Sequence, residues 1–312
     1  MKYIIYITVL ILFLGCKEES DSSSPIKPTT PSTILNNTIL YHRANGVYTI
    51  SENGTNEKQL LALTGNSAVG YPNWSPDSRI YFTGNIQGET NAQLYSMKED
   101  GSDVMRITNS ANIQYSRLSV SAKNQLLYIK KFADGSSGPG LYTSKPNGTE
   151  EMKVMDLSEI MLSDVSWHPD GSKIIYVSDE AKNANNEKVS NIFLVNLDGT
   201  NKIQITQNIN KDKLYDHPYI CPDGSLVVYT ATPDKNISGY NVYVSRISGS
   251  NENLILNATS KAESWVSRNW TKNVQWILLA DHKNNLHMID PDGFSVKQIN
   301  QVGSFDAKLK DF

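Results

Sequence analysis

Cysteine is scarce in this chain: Cys16 and Cys221 are the two among 312 residues. So few leave no disulfide framework, and a fold of this length has to be held by a buried core. An excess of positive charge is absent too. The 29 Lys and Arg stand against 32 Asp and Glu, for a formal charge of −3, which gives no basic footprint and argues against nucleic acid as a partner. Histidine is limited to positions 42, 168, 217, 282 and 287, and none of these stand at metal-ligand spacing. No G-x-S-x-G elbow, Walker loop, H-E-x-x-H or C-x-x-C occurs, so neither a catalytic residue, a metal nor a cofactor is expected.

What the chain does hold is tyrosine, 16 against 7 Phe, with frequent Gly, Asn, Asp and Ser. That mixture fits an all-β protein. Asp164–Thr206 shows how it is used. Its short apolar runs Val165–Trp167, Ile174–Val177, Ile192–Val195 and Ile203–Ile205 are separated by a Pro-Asp-Gly turn, a polar loop over Asp179–Ser190 and an Asp-Gly turn. Runs of this kind read as four antiparallel strands of a meander, one blade of a β-propeller. The unit repeats. Tyr48, Tyr95, Tyr142, Phe193, Tyr243 and Met288 mark the third strands, at spacings of 47, 47, 51, 50 and 45. The turn glycines 54, 101, 148, 199, 249 and 293 keep step with them. Six markers at so regular an interval predict six blades of four antiparallel strands over residues 37–312, in a monomeric propeller.

Before the repeats, Met1-Lys2 is followed by an apolar run from Tyr3 to Leu14, too short to span a bilayer comfortably. Leu12-Phe13-Leu14-Gly15-Cys16 resembles the bacterial lipoprotein signal. That resemblance implies that residues 1–15 are removed, that Cys16 is acylated and that the protein is anchored to a membrane through it. An ordinary secretory peptide with an incidental Cys is the other reading. With Cys16 lipidated, Cys221 has no disulfide partner. Lys17-Glu18-Glu19 resembles an export tag for the outer surface, or simply begins the tether. Residues 16–36 are rich in Ser, Thr and Pro and read as that flexible tether.

The inner strands are signalled by Trp74-Ser75-Pro76-Asp77, Trp167-His168-Pro169-Asp170-Gly171 and Ile220-Cys221-Pro222-Asp223-Gly224. Val120-Ser121-Ala122-Lys123 and Trp270-Thr271-Lys272-Asn273 hold the same place with degraded turn chemistry. Together with the later Asp-Gly turns, this pattern resembles the WD40-like repeat of the TolB C-terminal propeller family, from about residue 38 to 300. The resemblance implies a propeller that works through protein contacts in the Gram-negative envelope; with the lipid anchor, the expected place is the outer membrane, periplasmic or surface-exposed. Related propellers include oligogalacturonate lyases, which use a metal held by histidines in the channel. The first unit has no inner-strand signal, and Val302–Phe312 is left over after the sixth. Phe305–Phe312 is therefore expected to complete the first blade; the alternative is Ser32–Leu35.

Strand order puts the Pro-Asp-Gly and Asp-Gly turns on one face and the variable loops, such as Asn85–Asn91 and Asp179–Ser190, on the other. Binding usually resides on variable loops held by a rigid frame. Counting back three residues from Trp74, Val120, Trp167, Ile220 and Trp270 gives Tyr71, Arg117, Asp164, His217 and Ser267; counting back five gives Tyr115, Tyr215 and Trp265 among others. Tyr71, Tyr115, Arg117, Asp164, Tyr215, His217 and Trp265 are thus expected to ring the channel mouth and to hydrogen-bond and stack on a ligand. Alternatively, the aromatic members pack between blades and the polar ones cap strand ends. The function expected is a non-enzymatic binding or scaffold module for an envelope protein, peptide or glycan. The alternative is a polysaccharide-active, lyase-like enzyme.

Overall fold

The computed structural model of the protein describes residues 38–157, 165–208, 213–232, 239–258, 264–300, 303 and 305–310. The expected signal peptide, Cys16, the expected tether and Asp164 lie outside the described residues. Among the described residues all regular structure is strand, arranged as six four-stranded antiparallel sheets. Five sheets follow chain order. In the first blade Phe305–Leu309 pairs with Thr38–Arg43, with Leu309 opposite Ile39 and Phe305 opposite His42. The C-terminus therefore supplies the missing inner strand and closes the ring.

Period-two alternation explains why the blades stack. Successive side chains of a strand point to opposite faces, and here both faces are covered. Ile39 and Tyr41 pack toward the sixth blade with Leu278 and Met288, while Leu40 between them packs toward the second with Trp74 and Phe82. The core is accordingly divided into six clusters, each sandwiched between two neighbouring blades. Each large side chain buried this way contributes about 1.5–3 kcal/mol.

Buried tyrosines of the second and third strands need a partner for their hydroxyls, and a carboxylate from a nearby loop or outer hairpin supplies it. Tyr128 donates to Glu151 at 2.8 Å, Tyr176 to Glu180 at 2.8 Å and Tyr229 to Glu252 at 2.5 Å. Tyr41 and Tyr95 donate likewise to Glu57 and Glu89. Burial pushes these phenols above their ordinary range, so they remain protonated donors.

The turn glycines do more than turn. A Cβ on Gly101 falls 2.2 Å from the Leu60 carbonyl oxygen of the preceding blade, and one on Gly249 falls 2.2 Å from that of Ile205. With φ of 91° and 83°, these positions combine left-handed backbone with close approach between blades.

One expectation is corrected. Asp179–Ser190 is mostly not a loop, because the strands run on through Lys173–Lys182 and Lys188–Asn196. A bulge lies between Ser178 and Ala181, and a tight turn closes the hairpin with Asn183 N donating to Glu187 O at 3.0 Å. The polar composition concealed the extension, because its ladder is held by backbone hydrogen bonds and its buried side chains, Asp179, Val189 and Ser190, with Ala181 against the core, form no apolar face.

Candidate functional site

Six inner strands surround the axis: Phe305–Leu309, Val69–Trp74, Ile113–Val120, Val165–Trp167, Tyr215–Ile220 and Trp265–Trp270. Five of them carry a register shift near their start, between Gly70 and Asn73, Ser116 and Ser119, Asp216 and Tyr219, Ser267 and Asn269, and opposite Leu40 and His42. An extra residue in one strand of a pair makes a β-bulge, which commonly re-aims side chains beside functional sites. Four of these bulges hold a residue in the left-handed region, Tyr71, Arg117 and His217, with φ of 51°, 54° and 51°, and Asp306, with φ of 45°, and the fifth holds Arg268. Left-handed backbone is unfavourable for residues other than glycine, so the recurrence of four such residues at one level marks this mouth of the channel.

These residues connect round the ring. The Arg117 guanidinium lies 5.1 Å from the Tyr71 ring centroid. The Tyr71 amide donates to Asp306 Oδ2 at 3.2 Å. Asp306 Oδ2 also lies 3.0 Å from His42 Nε2, and its Oδ1 accepts from Arg268 Nη1 at 3.4 Å. Ser267 Oγ donates to the His217 carbonyl at 2.7 Å, and His217 Nδ1 stands 3.3 Å from Asp216 Oδ2. Burial works against the charged form of Asp306. The His42 hydrogen bond and the Arg268 charge outweigh it and hold the carboxyl well below the usual carboxylate range.

Of the residues singled out by counting, Tyr71, Arg117 and His217 occupy bulges at this mouth. Trp265 is half-buried at the same end, edge-on to the His287 ring at 5.0 Å, and His287 Nε2 lies 3.2 Å from Asp281 Oδ2. Tyr115 and Tyr215 are buried between blades, edge-on to Tyr128 at 5.6 Å and Tyr229 at 5.7 Å. Ser267 is fully buried. Sequence reasoning missed Asp306, His42 and Arg268. The signal for Asp306 was present: it stands three residues before Leu309, as Tyr71 stands before Trp74. His42, on the second strand of its blade, follows no such count, and Arg268 stands in the sixth blade's bulge one place after the counted Ser267.

The other end of the channel, on the face of the Pro-Asp-Gly turns, opens into a cavity of about 310 Å³. Every blade contributes to it from its inner strand: Asn73, Ser119 with Val120, Ser166 with Trp167, Tyr219 with Ile220, Asn269 and Lys308. His168, Pro169, Pro222 and Lys272 form its rim. Hydrogen bonds between blades fix the wall. Asn73 Nδ2 donates to the Leu118 carbonyl at 2.8 Å, Ser166 Oγ to that of Pro218 at 3.0 Å and Trp270 Nε1 to that of Tyr219 at 2.9 Å. Next to the rim residue His168, and outside the cavity's lining, Asp170 is pulled down to about 2, first by the Ser172 hydroxyl and then by its amide and by His168 at 2.9 Å. Among the described residues, no three His, Cys, Asp or Glu side chains come together as a metal-holding group.

No family model matches the chain, and no curated protein matches it. Solved structures do. TolB from Acinetobacter baumannii is similar over 88% of this chain and 66% of its own, with a TM-score of 0.69 and 16% identity. The chain thus spans just under two thirds of that protein. A chain described as TolB from Agrobacterium tumefaciens is similar over 87% of this chain and 91% of its own, with a TM-score of 0.63 and 14% identity. An oligogalacturonate lyase in complex with manganese is similar over 82% and 70%, with a TM-score of 0.56 and 12% identity. At such identities the likeness is one of fold, and the fold is that of a TolB-like six-bladed β-propeller.

Proposed function

We propose that this protein is a cell-envelope binding module, anchored by lipidated Cys16 and held off the membrane by its tether. It presents the bulged mouth of its channel to another envelope protein, a peptide or a glycan. The observation that carries this reading is the set of left-handed bulge residues, Tyr71, Arg117, His217 and Asp306, with Asp306 held by the Tyr71 amide, His42 and Arg268. Such a set offers cationic, hydrogen-bonding and aromatic groups at one level on a rigid frame, which suits recognition more than proton transfer. The likeness to two TolB structures supports the same class of role, and an envelope location with it.

The test is capture of partners from envelope membranes with the full chain, against a variant carrying Tyr71→Ala, Arg117→Ala and Trp265→Ala. Tyr115 and Tyr215 are left intact because they are buried in the core. Loss of specific partners with an unchanged melting profile is the expected result, and an identical set of partners would overturn the reading. In the same preparation Cys16→Ser should move the protein from the membrane to the soluble fraction.

A further inference from the structure

We propose that the cavity at the turn-face end of the channel is a second binding site, for a small ligand that joins one carboxylate to an apolar body. It lies at the opposite end from the bulged mouth and is independent of it. A volume of about 310 Å³ is at the small end of ligand pockets, enough for an amino-acid-sized acid or the last residue or two of a peptide. Its walls are largely apolar and aromatic, from Trp167, Tyr219, Ile220 and Pro222.

The charged groups point to the sign of the ligand. Lys308 and Lys272 both line the cavity, and among the described residues no carboxylate does. Lys308 is set in place at depth: its Nζ lies 3.8 Å from the Tyr219 ring centroid and 3.4 Å from the Arg268 carbonyl. Lys272 stands exposed at the rim. The acidic residues of the surrounding turns are engaged within those turns. Asp170 accepts from the Ser172 hydroxyl at 2.6 Å, Asp223 from that of Ser225 at 2.6 Å, and Asp77 from Tyr81 at 2.6 Å. The charged groups that line the cavity are thus ammonium groups, while these carboxylates, charged but held in their own turns, stand outside its lining. One lysine at depth matches a single negative charge, whereas a phosphate dianion calls for more donors at one point.

The experiment uses the full chain in detergent, titrated calorimetrically with N-acetylleucine and with N-acetylleucinamide, which share a shape and differ in charge. Tryptophan fluorescence reports on the site through Trp167. The acid is expected to bind saturably at about 1 mM or tighter, and the amide roughly tenfold more weakly. Lys272→Glu, at an exposed position, should weaken the acid roughly tenfold without moving the melting temperature, and Lys308→Met should abolish binding. A pentapeptide ending in free leucine separates the two sources of the ligand. Binding tighter than the free acid assigns the site to a peptide C-terminus, and equal binding assigns it to a small organic acid. The proposal fails if neither acid nor peptide saturates, if the amide binds as well as the acid, or if Lys272→Glu changes nothing. Should Lys308→Met not fold, the acid–amide comparison and Lys272→Glu still decide.

Discussion

Asp306 sits where three blades meet. Its carboxylate takes the Tyr71 amide of the second blade and Arg268 of the sixth, and pairs with His42 of its own. Only 17% of its side chain is exposed, so replacing it leaves a buried guanidinium without its counter-charge. Asp306→Asn is expected to lower stability at pH 7 by on the order of 3 kcal/mol. The folded carboxyl titrates well below its unfolded value of about 4. Its contribution is therefore complete above that value and fades as the pH falls from about 4 toward the folded one. Urea melts of both proteins at pH 7 and at about pH 3 check this: the gap between them should narrow in acid. A gap of the same size at both pH values would show that the ion cluster is not its source. At this scale the repeat made Tyr71, Arg117 and His217 legible, because equivalent positions can be compared within one chain. It did not distinguish Tyr115 and Tyr215, which the packing places in the core. An aromatic ring at a strand start is compatible with either position, and only the neighbouring blade decides.

The hairpin glycines act as elements of blade packing, and they are not equivalent. Gly101 and Gly199 both have positive φ, 91° and 77°. A Cβ on Gly101 would meet the Leu60 carbonyl oxygen at 2.2 Å, whereas one on Gly199 finds the Val154 carbonyl oxygen at 3.8 Å, an ordinary contact. Gly199→Ala should therefore cost about 1 kcal/mol, for left-handed backbone alone. Gly101→Ala should cost roughly 3 kcal/mol or more, because backbone of the first blade must also shift. Chemical denaturation of the two variants tests the difference, and equal losses would remove the close-approach argument. Asp-Gly turns were readable in the sequence as turns. Their nesting against the preceding outer strand was not, since it depends on how far neighbouring blades are rotated. The hairpin after Val177 illustrates the same limit. Polar residues alternate there without an apolar face, and periodicity gives no signal where backbone hydrogen bonds alone extend the ladder.

The whole molecule is a ring, and a ring has no stable open form if each core is shared by two blades. The first and sixth blades share the cluster of Ile39, Tyr41, Leu278 and Met288, into which Ala307 and Leu309 of the closing strand are packed. Truncation before Phe305 removes that strand, exposes this cluster and leaves one edge of Thr38–Arg43 without its partner. The truncated chain is expected to lose its cooperative thermal transition and to be cut rapidly by proteases, with circular dichroism and limited proteolysis as readouts. A cooperative melt close to that of the intact chain would mean that five complete blades hold the fold without closure. The number of blades and the strand order were contained in the linear pattern, whereas between the two segments it offered for the first blade's inner strand only the packed structure chose Phe305–Leu309. Period-two alternation and turn chemistry act locally and repeat at a fixed interval, so they survive in one dimension. The meeting of Asp306 with His42 and Arg268, and the cavity that gathers residues from every blade, had no such trace. They join positions up to 264 residues apart, brought together by ring closure and by the angle between blades, which are properties of the packed molecule.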